Sequence, residues 1–218
     1  MGVSEQWNVP VPGSMGPDKI EIFDDFTLSS SAPSTVLGGW RSTGSTMVLG
    51  DEVGGVAVLT PAAAAVGCFQ TNHDPFSMPI RGKRLWFECK FKPALALSTA
   101  FWVGLSNDDQ DPQGGVTNGL AFQKTDSATL NINVEVTVAS SAVVTDTGSD
   151  YANATYVTVG FEVIGEDRVK FYLNGVKVHE TTTMPAVGTT LRPNIGQALD
   201  AATASTLTVD YIRVVQNR

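Results

Sequence analysis

From Lys19 onward, apolar and polar residues alternate with a period of two. In R-L-W-F-E-C-K-F-K this puts Leu85, Phe87, Cys89 and Phe91 on one face, and Trp86, Glu88, Lys90 and Lys92 on the other. T-L-N-I-N-V-E-V-T-V sets Leu130, Ile132, Val134, Val136 and Val138 against polar partners, and Ala139 closes the run. K-I-E-I-F-D-D-F, E-V-G-G-V-A-V-L-T, A-F-W-V-G-L-S, G-L-A-F-Q-K, Y-V-T-V-G-F-E-V-I-G, R-V-K-F-Y-L-N-G-V-K-V-H-E and S-T-L-T-V-D-Y-I-R-V-V-Q also read as strands. The pattern predicts roughly a dozen strands separated by turn chemistry. Asn174-Gly175 is the strongest short hairpin signal. N-D-D-Q-D-P-Q-G-G and T-D-T-G-S-D read as surface loops. No stretch has a convincing helical period, and no repeat of fixed length emerges. Many antiparallel strands without helices predict an all-β, antiparallel two-sheet sandwich or jelly roll.

Residues 1–19 break the pattern. They hold three prolines, three glycines and one aromatic, Trp7. One reading is a loose terminus. The other is an extended arm that docks on a partner through Trp7, Val9, Pro10, Val11 and Pro12. The predicted organisation is an arm over 1–19 and a sandwich over 20–218.

Composition narrows the function classes. Of 218 residues, 42% are hydrophobic, enough for a sizeable core without disulfides or metals. Charged residues are only 17% and the net charge is -8. An acidic chain repels phosphate backbones and anionic membrane surfaces, so neither nucleic acid nor membrane is an expected partner. The first residues do not read as a signal peptide. Cys68 and Cys89 lack metal-ligand spacing and read as small core residues.

Two segments carry a resemblance. Residues 156–178, Y-V-T-V-G-F-E-V-I-G-E-D-R-V-K-F-Y-L-N-G-V-K-V, resemble the paired strands of laminin-G-like and concanavalin A-like domains. Residues 207–216, L-T-V-D-Y-I-R-V-V-Q, are similar to the last strand of laminarinase-type glycoside hydrolases. F-D-D-F at 23–26 suits the first strand of the same superfamily. The resemblance implies a concanavalin A-like jelly roll, a fold that hosts lectins, glycosidases, adhesion modules and virion proteins.

Retaining glycosidases need two close carboxyl groups. The related hydrolases set theirs as Glu-x-Asp-x-x-Glu on a central strand. On W-F-E-C-K-F-K, Glu88 is followed by Lys90 and Lys92 and has no second acid. Glu135 and Glu162 have no paired acid in sequence. No nucleophile elbow, phosphate loop or zinc motif is present. The expectation is therefore that the chain is not an enzyme. A sugar platform is the alternative, with Trp86, Glu88 and Trp102 on one sheet face. Asp108, Asp109 and Asp111 form an acidic turn without EF-hand spacing. Asp210 matches the position that in the related hydrolases often helps bind a structural calcium, so the resemblance implies a possible calcium there and no other cofactor.

Together these features point to a non-enzymatic virion structural protein, made in a host cytoplasm. It would be a bacteriophage capsid decoration subunit held by its arm to the major capsid protein or to neighbouring copies of itself, and a homo-oligomer. The alternative is a lectin-like adhesion module for cell-surface glycans, and a glycoside hydrolase ranks below that.

Overall fold

The computed structural model describes residues 18–26, 36–37, 39–50, 52, 55–61, 66–95, 99–107, 115–124, 129–199 and 205–217. The arm residues Trp7, Val9, Pro10, Val11 and Pro12 lie outside these, as do Asp108, Asp109 and Asp111. The strands, in order, are β1 (Lys19–Asp24), β2 (Val36–Leu37), β3 (Trp40–Thr43), β4 (Ser45–Gly50), β5 (Val56–Pro61), β6 (Val66–Thr71), β7 (Phe76–Ser77), β8 (Arg84–Pro93), β9 (Thr99–Ser106), β10 (Gly119–Lys124), β11 (Asn131–Val138), β12 (Ser141–Asp150), β13 (Val157–Ile164), β14 (Arg168–Leu173), β15 (Val176–Thr181), β16 (Thr190–Leu199) and β17 (Leu207–Asn217).

Among the described residues these strands form two antiparallel sheets and no helix. The first runs β15-β14-β13-β8-β17-β5-β4, with β1 also paired to β17. The second runs β12-β11-β10-β9-β16-β6-β3-β2, with β7 paired to β16. The predicted two-sheet sandwich is what forms.

The core is the contact between the inner faces. Leu85, Phe87, Cys89 and Phe91 are all fully buried, as their alternation requires. Phe87 stacks on Phe161 with centroids 4.9 Å apart, and Phe161 packs on Phe171 at 5.6 Å. Phe171 then meets Phe122 of the second sheet at 5.6 Å, and Phe91 meets Phe101 at 5.0 Å. Edge contacts between aromatic rings thus tie the two sheets together. Cys68 and Cys89 are buried and not joined in a disulfide, one in each sheet. Burial pushes the Cys89 thiol well above its usual range.

The Asn174-Gly175 hairpin forms as predicted. Both residues have positive φ, 49° and 80°, which matches the twist of the flanking strands. T-D-T-G-S-D is not a loop. It is the second half of β12, paired to β11 with a register shift opposite Ile132/Asn133. Thr147 reinforces the pairing by donating from its hydroxyl to the Ile132 carbonyl at 2.6 Å.

Candidate functional site

Residues directly opposite each other on paired strands share a face, so the register fixes what each outer surface displays. On the first sheet one outer row reads Glu180, Lys170, Glu162, Trp86, Val215, Glu21. The next reads Lys177, Tyr172, Gly160, Glu88, Arg213, Phe23. Opposite charges are paired across this face. Arg84 meets Glu162 at 2.6 Å and Arg213 meets Glu21 at 2.8 Å. Lys92 meets Glu52 at 2.6 Å, which holds the Glu52 carboxyl below its usual range. Lys90 and Lys92 also lie 4.7 Å and 4.5 Å from the centre of the Tyr156 ring. Tyr211 donates to Glu88 at 2.7 Å. Burial, and then that carboxylate, push the Tyr211 phenol far up.

The outer face of the second sheet is different. Its central row reads Arg41, Gln70, Asn194, Gly104, Ala121, Glu135, Val144. A second row reads Thr43, Cys68, Gly196, Trp102, Gln123, Asn133, Asp146. A third holds Arg192, Ser106, Gly119 and Thr137. Gln70, Ser106 and Asn194 are 0% exposed, and Gln123 and Thr137 nearly so. These amides and hydroxyls come from five strands, and all lie outside the hydrophobic core.

Trp102, also fully buried, packs with Val116 and Ala121 in a small cluster of its own. A Cβ at Gly119 would stand 3.1 Å from the Trp102 ring and 2.8 Å from Val116, so only glycine fits beneath them. The Trp102 indole N–H donates to Glu135 Oε1 at 3.3 Å, and Thr137 donates to the same oxygen at 2.7 Å. Asn194 Nδ2 donates to Ser106 Oγ at 3.0 Å. Arg192 is held by Asp74 and by the Thr71 carbonyl. Burying polar side chains costs free energy unless they are bonded, so a buried polar cluster outside the core marks a candidate site.

The structure therefore divides the predicted sugar platform. Trp86 and Glu88 share a face of the first sheet, as expected. Trp102 lies on the opposite outer surface, across the full thickness of the sandwich. The three residues do not form one platform. The Asp210 expectation also meets an obstacle. Its carboxylate accepts from Lys90 Nζ at 2.6 Å, and an ammonium in that position does not fit a calcium ligand set. Among the described residues no group of three or more His, Cys, Asp or Glu is placed to hold a metal.

Sequence reasoning missed Gln70, Gln123 and Asn194. Their signal is an amide inside an otherwise apolar strand, as in C-F-Q-T, A-F-Q-K and P-N-I.

No protein-family profile matches the sequence, and no curated protein matches it significantly. Solved structures do. The carbohydrate recognition domain of Emp47p superposes with a TM-score of 0.65 at 12% identity, covering 94% of this chain and 100% of that one. A Bacillus licheniformis β-glucanase gives 0.60 at 13% identity, with 91% and 98% covered. A carbohydrate esterase of the Shiga toxin-encoding bacteriophage phi24B gives 0.55 at 18% identity, with 83% and 91% covered. What the chain shares with them is the fold, a two-sheet antiparallel jelly roll.

One expectation is overturned. The missing acid partner of Glu88 argued against an enzyme. Glycoside hydrolases and a transglycosylase share this architecture, so the fold admits catalysis. Glu88 lies on the outer face of the first sheet, whereas Glu135 stands on the outer face of the second.

Proposed function

We propose that this protein binds carbohydrate on the outer face of its second sheet. One observation carries the reading: Gln70, Ser106, Gln123, Thr137 and Asn194, from five different strands, gather into a buried neutral polar floor around Trp102 and Glu135. Amides and hydroxyls both donate and accept, which suits the hydroxyls of a sugar. The ligand class is a neutral glycan, because amides and hydroxyls make up most of the floor and the charged Glu135 and Arg192 are already bonded within the protein. Half-buried Arg41 and Asn133, at the two ends of the rows, mark where the floor meets solvent. The carbohydrate-recognition and glucanase neighbours support the same class of ligand.

The test is a glycan array followed by calorimetric titration of the hits, with each hit also assayed for cleavage or transfer. Asn133→Ala, where the floor meets solvent, should weaken binding about tenfold through a lost hydrogen bond. Glu88→Gln, on the other sheet, should leave affinity and any turnover unchanged. Loss of binding in Glu88→Gln with full binding in Asn133→Ala would move the site to the first sheet. Absence of any glycan ligand would end the reading.

A second reading puts this binding role on a bacteriophage particle, as a capsid decoration subunit. The phage esterase neighbour and the Pro/Gly composition of residues 1–19 support it. Quantitative mass spectrometry of purified particles tests it. Hundreds of copies per particle would fit a lattice component, a few copies a tail or fibre, and absence would exclude it.

A further inference from the structure

On the outer face of the first sheet, the carboxylates that leave solvent are met by a guanidinium. Glu162 is paired with Arg84 at 2.6 Å and Glu21 with Arg213 at 2.8 Å. Glu135, on the outer face of the second sheet, is different. It is 6% exposed, and among the described residues no lysine, arginine or histidine pairs with it. Both of its hydrogen bonds fall on Oε1, from the Trp102 indole N–H and from the Thr137 hydroxyl. Oε2 has no partner among the described residues, and it is not sealed from solvent. A carboxylate that leaves water without a counter-charge is costly unless its oxygens are bonded. One oxygen of Glu135 is therefore anchored by the protein and the other is left for a ligand.

The ground beside it is bare. Asn194, Gly104, Ala121 and Glu135 follow one another along one row, which carries nothing larger than a methyl group between its two polar ends. A Cβ at Gly104 would stand 2.8 Å from that of Ala121, so backbone packing keeps this recess open. On the other side, Val144 lies directly opposite Glu135 and is half exposed.

We propose that Glu135 Oε2 selects the ligand of this face by accepting hydrogen bonds from two adjacent hydroxyls of a neutral glycan. This rests on the carbohydrate reading above and names the chemistry that the site recognises. A carboxylate oxygen has two lone pairs, so Oε2 accepts from both hydroxyls at once. The anchored Oε1 fixes the orientation of the carboxylate before the ligand arrives, which spares the cost of ordering it. Bonds to a charged acceptor are roughly twice as strong as neutral ones, so a missing hydroxyl is penalised more at Glu135 than at the surrounding amides.

The test is calorimetric titration of the full chain with neutral gluco-, manno- and galacto-oligosaccharides, each beside its monodeoxy and amine-bearing forms. Removing one of two adjacent hydroxyls should weaken binding to the unmodified chain by at least about tenfold. Glu135→Gln keeps an acceptor for Trp102 and Thr137 and replaces only the open oxygen. It should melt like the unmodified chain, bind the parent glycan at least about tenfold more weakly and lose its discrimination against the monodeoxy form. Val144→Lys alters no buried group. It sets an ammonium opposite Glu135 that takes the open oxygen, and binding should weaken by a similar factor, whatever the melt of the first variant. Parent-glycan binding as tight in either variant as in the unmodified chain would overturn the proposal and leave carbohydrate binding standing. So would a preference of the unmodified chain for the amine-bearing form. If no member of the panel binds the unmodified chain, the carbohydrate reading fails first and this inference falls with it.

Discussion

The two outer faces of this sandwich share a core and a strand geometry, yet they solve the problem of polar side chains in opposite ways. The first sheet places opposite charges in neighbouring rows and, apart from the buried Arg213–Glu21 pair, lets water screen them. Arg84 is half exposed in its pair with Glu162, and Glu52 is similarly open against Lys92. Pairs of this kind contribute about 0.2–1 kcal/mol each. The second sheet carries few charges near its centre. It buries amides and hydroxyls, where each unmade hydrogen bond costs about 1–3 kcal/mol. A surface meant only for solubility has no use for that arrangement. The difference teaches that the two faces satisfy their polar groups by separate means, and the proposed recognition role of the second face rests on that contrast.

The largest expected effect lies beneath both faces. Phe87→Ala should cost about 3–5 kcal/mol in denaturant unfolding, because the ring is fully buried in the stack with Phe161. A negligible cost would mean that the strand faces are reversed, and the comparison would break. Glu135→Leu should come next. It leaves the Trp102 N–H and the Thr137 hydroxyl without their acceptor, for about 1–3 kcal/mol, and glycan affinity should fall with it. Thermal melts and titration on the same samples check both parts.

The smallest effect sharpens the contrast through pH. Lys92 and Tyr156 hold the Glu52 carboxyl below its ordinary range, and Lys177 with Arg168 does the same for Glu180. A carboxyl lowered in the folded state adds stability above its unfolded pKa and loses it as pH falls through the folded value. Stability should therefore decline on acidification below the usual carboxylate range. Lys92→Ala should flatten that decline by a fraction of about 1 kcal/mol, since the pair is exposed. Denaturant midpoints at neutral and acidic pH measure it. Added salt should weaken this face and leave neutral-glycan affinity unaltered.

Local pattern revealed faces but not sheets. Alternation correctly separated Phe87 from Trp86 and Val134 from Glu135. It could not say that β8 joins β13 and β17 while β9 joins β16, because those pairings are made across long stretches of chain. That is why Trp86 and Trp102 looked like neighbours. β16 was hidden for another reason. T-L-R-P-N-I-G-Q-A-L contains Pro193, and proline argues against a central strand. Here β7 pairs with β16 only at Thr190 and Leu191, and β6 only from Asn194 onward. Pro193 falls in the gap, where no ladder donor is needed. The β11–β12 turn was equally illegible, since Ala139 and Ser140 adopt positive φ of 48° and 66° without a glycine. Asn118 and Thr117 hold it by accepting from those two backbone N–H groups at 3.1 Å and 2.8 Å.

Cys68 and Cys89 give the molecule an internal clock. One thiol is sealed in each sheet, and neither reaches solvent in the native state. A thiol reagent can label either one only when its own layer opens, so two labelling rates, resolved by peptide mapping, time the two layers separately. Equal rates would describe a sandwich that parts in a single cooperative event. Faster labelling of Cys68 would describe a second sheet that loosens while the first stays closed.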